Sequence, residues 1–127
     1  METEGTVVSF RKAADATLED LLGCDGLIIA SPEYFGYMAG ALKDLFDRTY
    51  ESLRGQPRIF RKPYAVFISA DNDGSGALFH IERICTGFQF KKVQPPVIAQ
   101  GPLTEALLEK CRELGRTLAA GCEAGIF

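Results

Sequence analysis

The chain has 127 residues, 46% of them hydrophobic, with 14 Lys plus Arg against 17 Asp plus Glu and a formal net charge of -3. That suits a core for one domain, expected over residues 1–127, and the scattered basic side chains give no stripe for a nucleic acid or an anionic membrane. No apolar run reaches the ~18 residues of a bilayer-spanning helix, and the opening METEGTVVSF is acidic rather than basic, so neither a membrane partner nor a signal peptide is expected and the expected location is cytoplasmic.

In chain order, TVVSF (6–10) is a β-branched and aromatic run that predicts a strand. Thr17, with Asp20 three residues on, has capping-box spacing and predicts a short helix in ADATLEDLLGC. DGLIIAS (25–31) is apolar without alternation, as in a strand buried on both faces. A helix is predicted over 40–53, because Leu42, Leu45, Phe46, Thr49 and Leu53 recur at three-to-four spacing while Lys43, Asp44, Asp47, Arg48 and Glu51 lie elsewhere around it. PYAVFISA (63–70) is a second solidly apolar strand, DNDGSG (71–76) a loop, and ALFHIERICTGF a helix that Gly87 should end. PPVIAQG (95–101) predicts a last strand, and Thr104 caps a helix whose Leu107, Cys111, Leu114, Leu118 and Cys122 form one stripe.

Apolar strands alternating with helices predict an α/β domain in three layers, a parallel sheet covered on both faces. Ligands of such sheets sit beyond the carboxyl ends of the strands. The stretch SPEYFGYMAG (31–40), directly after the 25–31 strand, and DNDGSG, directly after 63–70, therefore fall on one rim. An aromatic wall from Tyr34 or Phe35, and main chain brought close at Gly36, Gly74 and Gly76, suit a flat apolar ring with a polar edge.

Rival chemistries are weaker. Asp71, Asp73, Ser75, Gly76 and Glu82 match the twelve-position spacing of a calcium loop, but such a loop leaves a helix, whereas 63–70 is built of strand formers; no metal site is expected, and Glu82 reads as a solvated helix residue. Cys24, Cys85, Cys111 and Cys122 contain no C-x-x-C pair and read as buried free thiols, and the single His80 reads as a partly exposed helix residue. Arg54, Arg58, Arg61 and Lys62 form a modest basic cluster that reads as a solvated loop. Glu33 has no second acid beside it and reads as hydrogen-bonding locally, and no side chain is singled out as a catalytic acid or base.

The stretch SPEYFGYMAGALKDLFDR, followed by a strand and SADNDGSGAL, resembles the flavodoxin-like superfamily. It is similar in particular to the NAD(P)H-dependent FMN reductases and the tryptophan-repressor-binding-protein type of quinone oxidoreductase. The resemblance implies that Ser31, Pro32, Glu33, Tyr34, Phe35 and Gly36 form a first flavin loop, and Ala70, Asp71, Gly74, Ser75 and Gly76 a second. It implies FMN as cofactor, NAD(P)H as co-substrate, small-molecule electron donor and acceptor, and a homo-oligomer. The activity implied is hydride passage from NAD(P)H through the flavin to a quinone or similar acceptor.

One departure stands out. The family opens with a strand and a Ser/Thr-Gly loop that holds the FMN phosphate at the next helix, whereas TVVSFRKAADAT (6–17) matches the family's second strand by pattern. The expected fold is thus flavodoxin-like but N-terminally truncated, lacking first strand, phosphate loop and first helix. In the strand order 2-1-3-4-5 that leaves a gap beside the 25–31 strand. Residues 6–10 moving into the gap, a strand from another chain, or further sequence upstream would each answer it. The alternative to an enzyme is a chain without autonomous activity that acts through this sheet edge as an interaction or dimerisation module.

Overall fold

A computed structural model describes residues 5–127. Its elements are α1 (Leu18–Gly23), β1 (Leu27–Pro32), α2 (Gly40–Leu53), β2 (Pro63–Ala70), α3 (Ser75–Phe88), β3 (Lys91–Lys92), β4 (Val97–Gln100) and α4 (Glu105–Glu123). All strand pairings are parallel: β1 runs along β2 from Leu27 opposite Tyr64 to Pro32 opposite Ser69. On its other side β2 pairs first with β3 and then with β4, from Phe67 opposite Val97 to Ala70 opposite Gln100.

Three layers follow from side-chain alternation along β2. Tyr64, Val66, Ile68 and Ala70 join one buried cluster with Leu21 of α1, Leu42, Leu45 and Phe46 of α2, and Ala77 and Ile81 of α3. Ala65, Ala99, Leu114 and Leu118 are buried outside that cluster, on the face covered by α4. Phe88 ties the first core together, its ring 5.1 Å from both Tyr50 and Phe90.

Local chemistry accounts for several helix ends. Thr17 and Asp20 form the reciprocal capping box that opens α1, and the Thr104 side chain accepts from Leu107 N–H to open α4. Gly87 lies inside α3 instead of ending it; the left-handed residue at that end is Gln89 (φ 65), whose N–H reaches the Cys85 and Thr86 carbonyls. Arg48 holds the segment before α1, donating 2.7 Å bonds to both Ala13 O and Ala16 O.

Residues 6–10 form no strand, contrary to their composition. Val7 and Phe10 are 87% and 85% exposed. Strand propensity reports fit to a paired, half-buried surface, and this segment has no strand beside it among the described residues. It does not fill the gap beside β1, which among the described residues is paired with β2 alone. β1 accordingly reads as one-sided: Ile29 and Ser31 are buried while Ile28, facing the other way, is 45% exposed.

The basic cluster also differs from expectation. Arg54, Arg58 and Arg61 are exposed, but Lys62 is buried, and its ammonium donates to the carbonyls of Leu21 and Leu22 at the end of α1. Burial holds its pKa below the ordinary value. Lys62 precedes the first residue of β2, so about eight residues at ~3.3 Å each separate it from the carboxyl rim. It serves the fold at the far end of the sheet from the candidate loops.

Candidate functional site

Because β1 and β2 are adjacent and parallel, the segments leaving them meet at one rim. The first begins with Ser31, whose side chain faces inward: its hydroxyl donates to Pro32 O (2.7 Å) and accepts from the N–H of Ala39, the residue that precedes α2 (2.9 Å). Pro32 closes β1, and Glu33 N–H continues the ladder to Ser69 O at 2.8 Å. Tyr34 and Tyr37 then exchange both backbone hydrogen bonds, at 2.8 and 2.9 Å. The two residues between them, Phe35 (φ 52) and Gly36 (φ 71), are both left-handed, as in a two-residue type I′ turn. Glycine takes that conformation freely, whereas a phenylalanine there is strained. The Phe35 ring at the tip is fully exposed and Tyr34 is 58% exposed.

The second segment starts from buried Ala70 and exposed Asp71. Asp73 Oδ1 accepts from the Ser75 N–H (3.0 Å) and hydroxyl (2.8 Å), and these bonds hold its carboxyl below the usual carboxylate range. Gly74 is left-handed (φ 72), and a Cβ there would come within 2.9 Å of Ile98 Cγ2. Gly76 is the point where the two segments touch: a Cβ on it would lie 2.2 Å from Gly36 O and 2.8 Å from Gly36 C. The Glu33 carboxylate crosses the same gap and accepts from Ala77 N–H at 3.1 Å.

The residues expected at the site from sequence are thus gathered, with differences of role. Ser31 and Glu33 spend their side chains within the protein, and Ala70 and Gly74 are packed inside, which leaves Tyr34, Phe35 and the backbone of Gly36 turned outward. Glu33 bonds across the rim to residue 77, not locally. Sequence reasoning also missed the ring group behind the turn, where Tyr37 lies 4.7 Å from His80 and Phe79 5.2 Å from it. The spacing of Phe79 and His80 from Tyr37 carried no signal, since it depends on how the two segments are brought together.

The calcium-loop spacing does not gather its carboxylates. Ser75 already begins α3, and Glu82 pairs with Lys92 at 2.9 Å, so Glu82 is an ion-paired residue and not the solvated one its pattern suggested. Among the described residues no cluster of His, Cys, Asp or Glu has metal-holding geometry, and no helix is long and apolar enough to cross a membrane. Cys85 is fully buried and burial pushes its thiol up to about 12. Cys24, Cys111 and Cys122 are half-buried free thiols.

A parallel three-layer sheet whose glycine-bearing loops meet at the carboxyl rim defines the flavodoxin-like class of α/β domain. Two solved structures share it: a flavodoxin from the domain Archaea (TM-score 0.75, 19% identity, 87% of this chain and 74% of that one) and a flavodoxin, WrbA-like protein from Agrobacterium tumefaciens (TM-score 0.72, 18% identity, 83% and 70%). In sequence, the flavodoxin of Aquifex aeolicus is 32% identical over 132 residues, covering 91% of this chain and 70% of that protein. The model of the NADPH-dependent FMN reductase family matches residues 2–102, and the chain belongs to that family.

The rim fits the ring of a flavin better than its phosphate. Outward aromatic rings and close backbone suit a flat tricyclic system. Two of the first-turn donors of α3 are instead committed internally, Ser75 N–H to Asp73 and Ala77 N–H to Glu33, which leaves a phosphate at that helix end the Gly76 N–H.

Proposed function

We propose that this chain supplies the ring-binding loops of an FMN-dependent oxidoreductase that takes electrons from NAD(P)H and delivers them to a quinone or similar small acceptor. The observation that carries the reading is the contact of the two rim segments at Gly36 and Gly76, with Tyr34 and Phe35 turned outward beside it. Family membership supports the cofactor and the electron donor.

Bound flavin supplies the hydride chemistry. The chain would orient it: Tyr34 or Phe35 would cover a face of the ring, and the backbone N–H groups of Phe35, Gly36 and Gly76, which these loops do not spend on their own hydrogen bonds, would be offered to its pyrimidine edge. No side chain of the two loops needs to transfer a proton. The type I′ turn holds Tyr34 and Phe35 ready, so their placement costs less entropy on binding.

Titrating FMN and riboflavin against the protein, read by flavin fluorescence, tests this. Saturable quenching by both, with affinities within about tenfold of each other, is expected because the ring and not the phosphate makes the contacts. Absence of quenching at high-micromolar flavin, with the circular dichroism of a folded α/β protein, overturns it. One observation favours a second reading, an association module: among the described residues β1 is paired on one side only and Ile28 is exposed beside it. Sedimentation that stays monomeric across a hundredfold concentration range rules out self-association through that edge.

A further inference from the structure

We infer that Glu33 is a positioning residue, the cap that the segment after β1 lends to α3, and that this bond fixes the separation of the two ring-holding loops. The inference rests on the flavin reading for its functional consequence, and on the following geometry for the bond itself.

A helix leaves its first backbone donors without partners, and a Ser, Thr, Asp or Asn at the N-cap normally satisfies one of them. α3 cannot do this for itself, because its N-cap is Gly74, held left-handed (φ 72) and without a side chain. Glycine is kept there by crowding as well as by conformation: a Cβ would meet Ile98 and Ile68 at 2.9 and 3.1 Å. Asp73 takes the Ser75 N–H, and Glu33 takes the Ala77 N–H at 3.1 Å from 44 positions earlier in the chain. Its reach is short because Glu33 N–H is itself fixed to Ser69 O of β2, at 2.8 Å. The same residue therefore grips the sheet through its backbone and α3 through its side chain. Gly36 O against Gly76 is the second point of contact between the loops, so the carboxylate bond and this contact together set one spacing.

The charge has its own effect. A carboxylate at a helix N-terminus offsets the positive end of the helix dipole. With Glu33 in place, the start of α3 stabilises negative charge on reduced flavin less than a neutral cap would.

Wild type, Glu33→Ala and Glu33→Gln separate these roles. In flavin-free protein, amide exchange at Ala77 should accelerate about tenfold or more in Glu33→Ala, and stay within about threefold of wild type in Glu33→Gln, whose amide oxygen still accepts. FMN affinity should fall about tenfold in Glu33→Ala and be largely retained in Glu33→Gln. Affinity for reduced relative to oxidised FMN should rise at least about threefold in Glu33→Gln, an effect that a purely structural cap would not produce. Unchanged Ala77 exchange in a folded Glu33→Ala protein overturns the inference. So does a loss of FMN affinity without faster exchange, which would make Glu33 a direct flavin ligand, or failure of Glu33→Gln to rescue exchange. If wild type binds no flavin, the proposed function fails while the exchange measurements still decide the cap.

Discussion

Gly76→Ala isolates the contact on which the site depends. Residue 76 is helical and right-handed, so the substitution adds no backbone strain, and alanine should gain up to ~1 kcal/mol of helix propensity. Against this, the new methyl would lie 2.2 Å from Gly36 O, 2.8 Å from Gly36 C and 3.0 Å from Gly36 Cα. Carbon and carbonyl oxygen settle at about 3.3 Å or more, so the turn and the helix must part by roughly 1 Å. The obstacle is backbone, tied by the paired bonds of Tyr34 and Tyr37, not the free end of a side chain. Overpacking of this kind costs about 1–3 kcal/mol, which leaves a net loss of up to about 2 kcal/mol after the helix-propensity gain and a fall in Tm of up to roughly 10 °C for a domain of this size. Gly87→Ala is the matched control, since nothing lies within 4 Å of a Cβ there, and it should raise Tm slightly. Thermal unfolding by circular dichroism compares the three proteins, and flavin titration should show weaker binding for Gly76→Ala alone. A Gly76→Ala protein that melts at or above wild type, with unchanged flavin affinity, refutes the close approach of the loops.

Replacing Lys62 removes the donor to the Leu21 and Leu22 carbonyls. Lys62→Ala should cost about 2–3 kcal/mol by urea unfolding and Lys62→Met less, because methionine keeps the apolar stem; flavin affinity should be unchanged in both. Cys85 should resist alkylation in the folded protein at pH 8, while Cys24, Cys111 and Cys122, all half-buried, react first, as peptide mass mapping would show. Its thiol ionises near 9.0 when exposed but only at about 12 in the fold, so the folded state keeps the proton that the unfolded state loses. The stability this provides is complete below pH 9 and erodes as pH climbs toward 12, which urea midpoints at pH 8 and 10 would register as a drop.

The parts of the fold that sequence made legible are those governed by local pattern. The stripe of Leu42, Leu45, Phe46, Thr49 and Leu53 marks α2 at both ends, and the unbroken apolar run Pro63–Ala70 marks β2. The capping pair Thr17 and Asp20 forms as spaced. Elements that depend on distant partners were not legible. Lys91–Lys92 has no strand pattern and is a strand only because Pro63 and Tyr64 pair with it. Residues 6–10 have the pattern and lack the partner. The candidate loops could be placed on one rim because both follow strands, yet the reach of Glu33 to Ala77 and the inward turn of Ser31 are tertiary facts that no spacing within either loop records.

β2 is paired on both sides, with β1 on one flank and β3 and β4 on the other. Its last two residues anchor the exits of both neighbours: Ser69 O takes Glu33 N–H and Ala70 O takes Gly101 N–H. For protein engineering this makes the molecule unequal at its two ends. A residue inserted or deleted within Pro63–Ala70 would slip both exits by one position and turn every following side chain to the opposite face. The exposed stretch Arg54–Arg58, at the other end of the strand, lies before that reference line, so a peptide tag or a permuted chain end placed there would leave the rim in register.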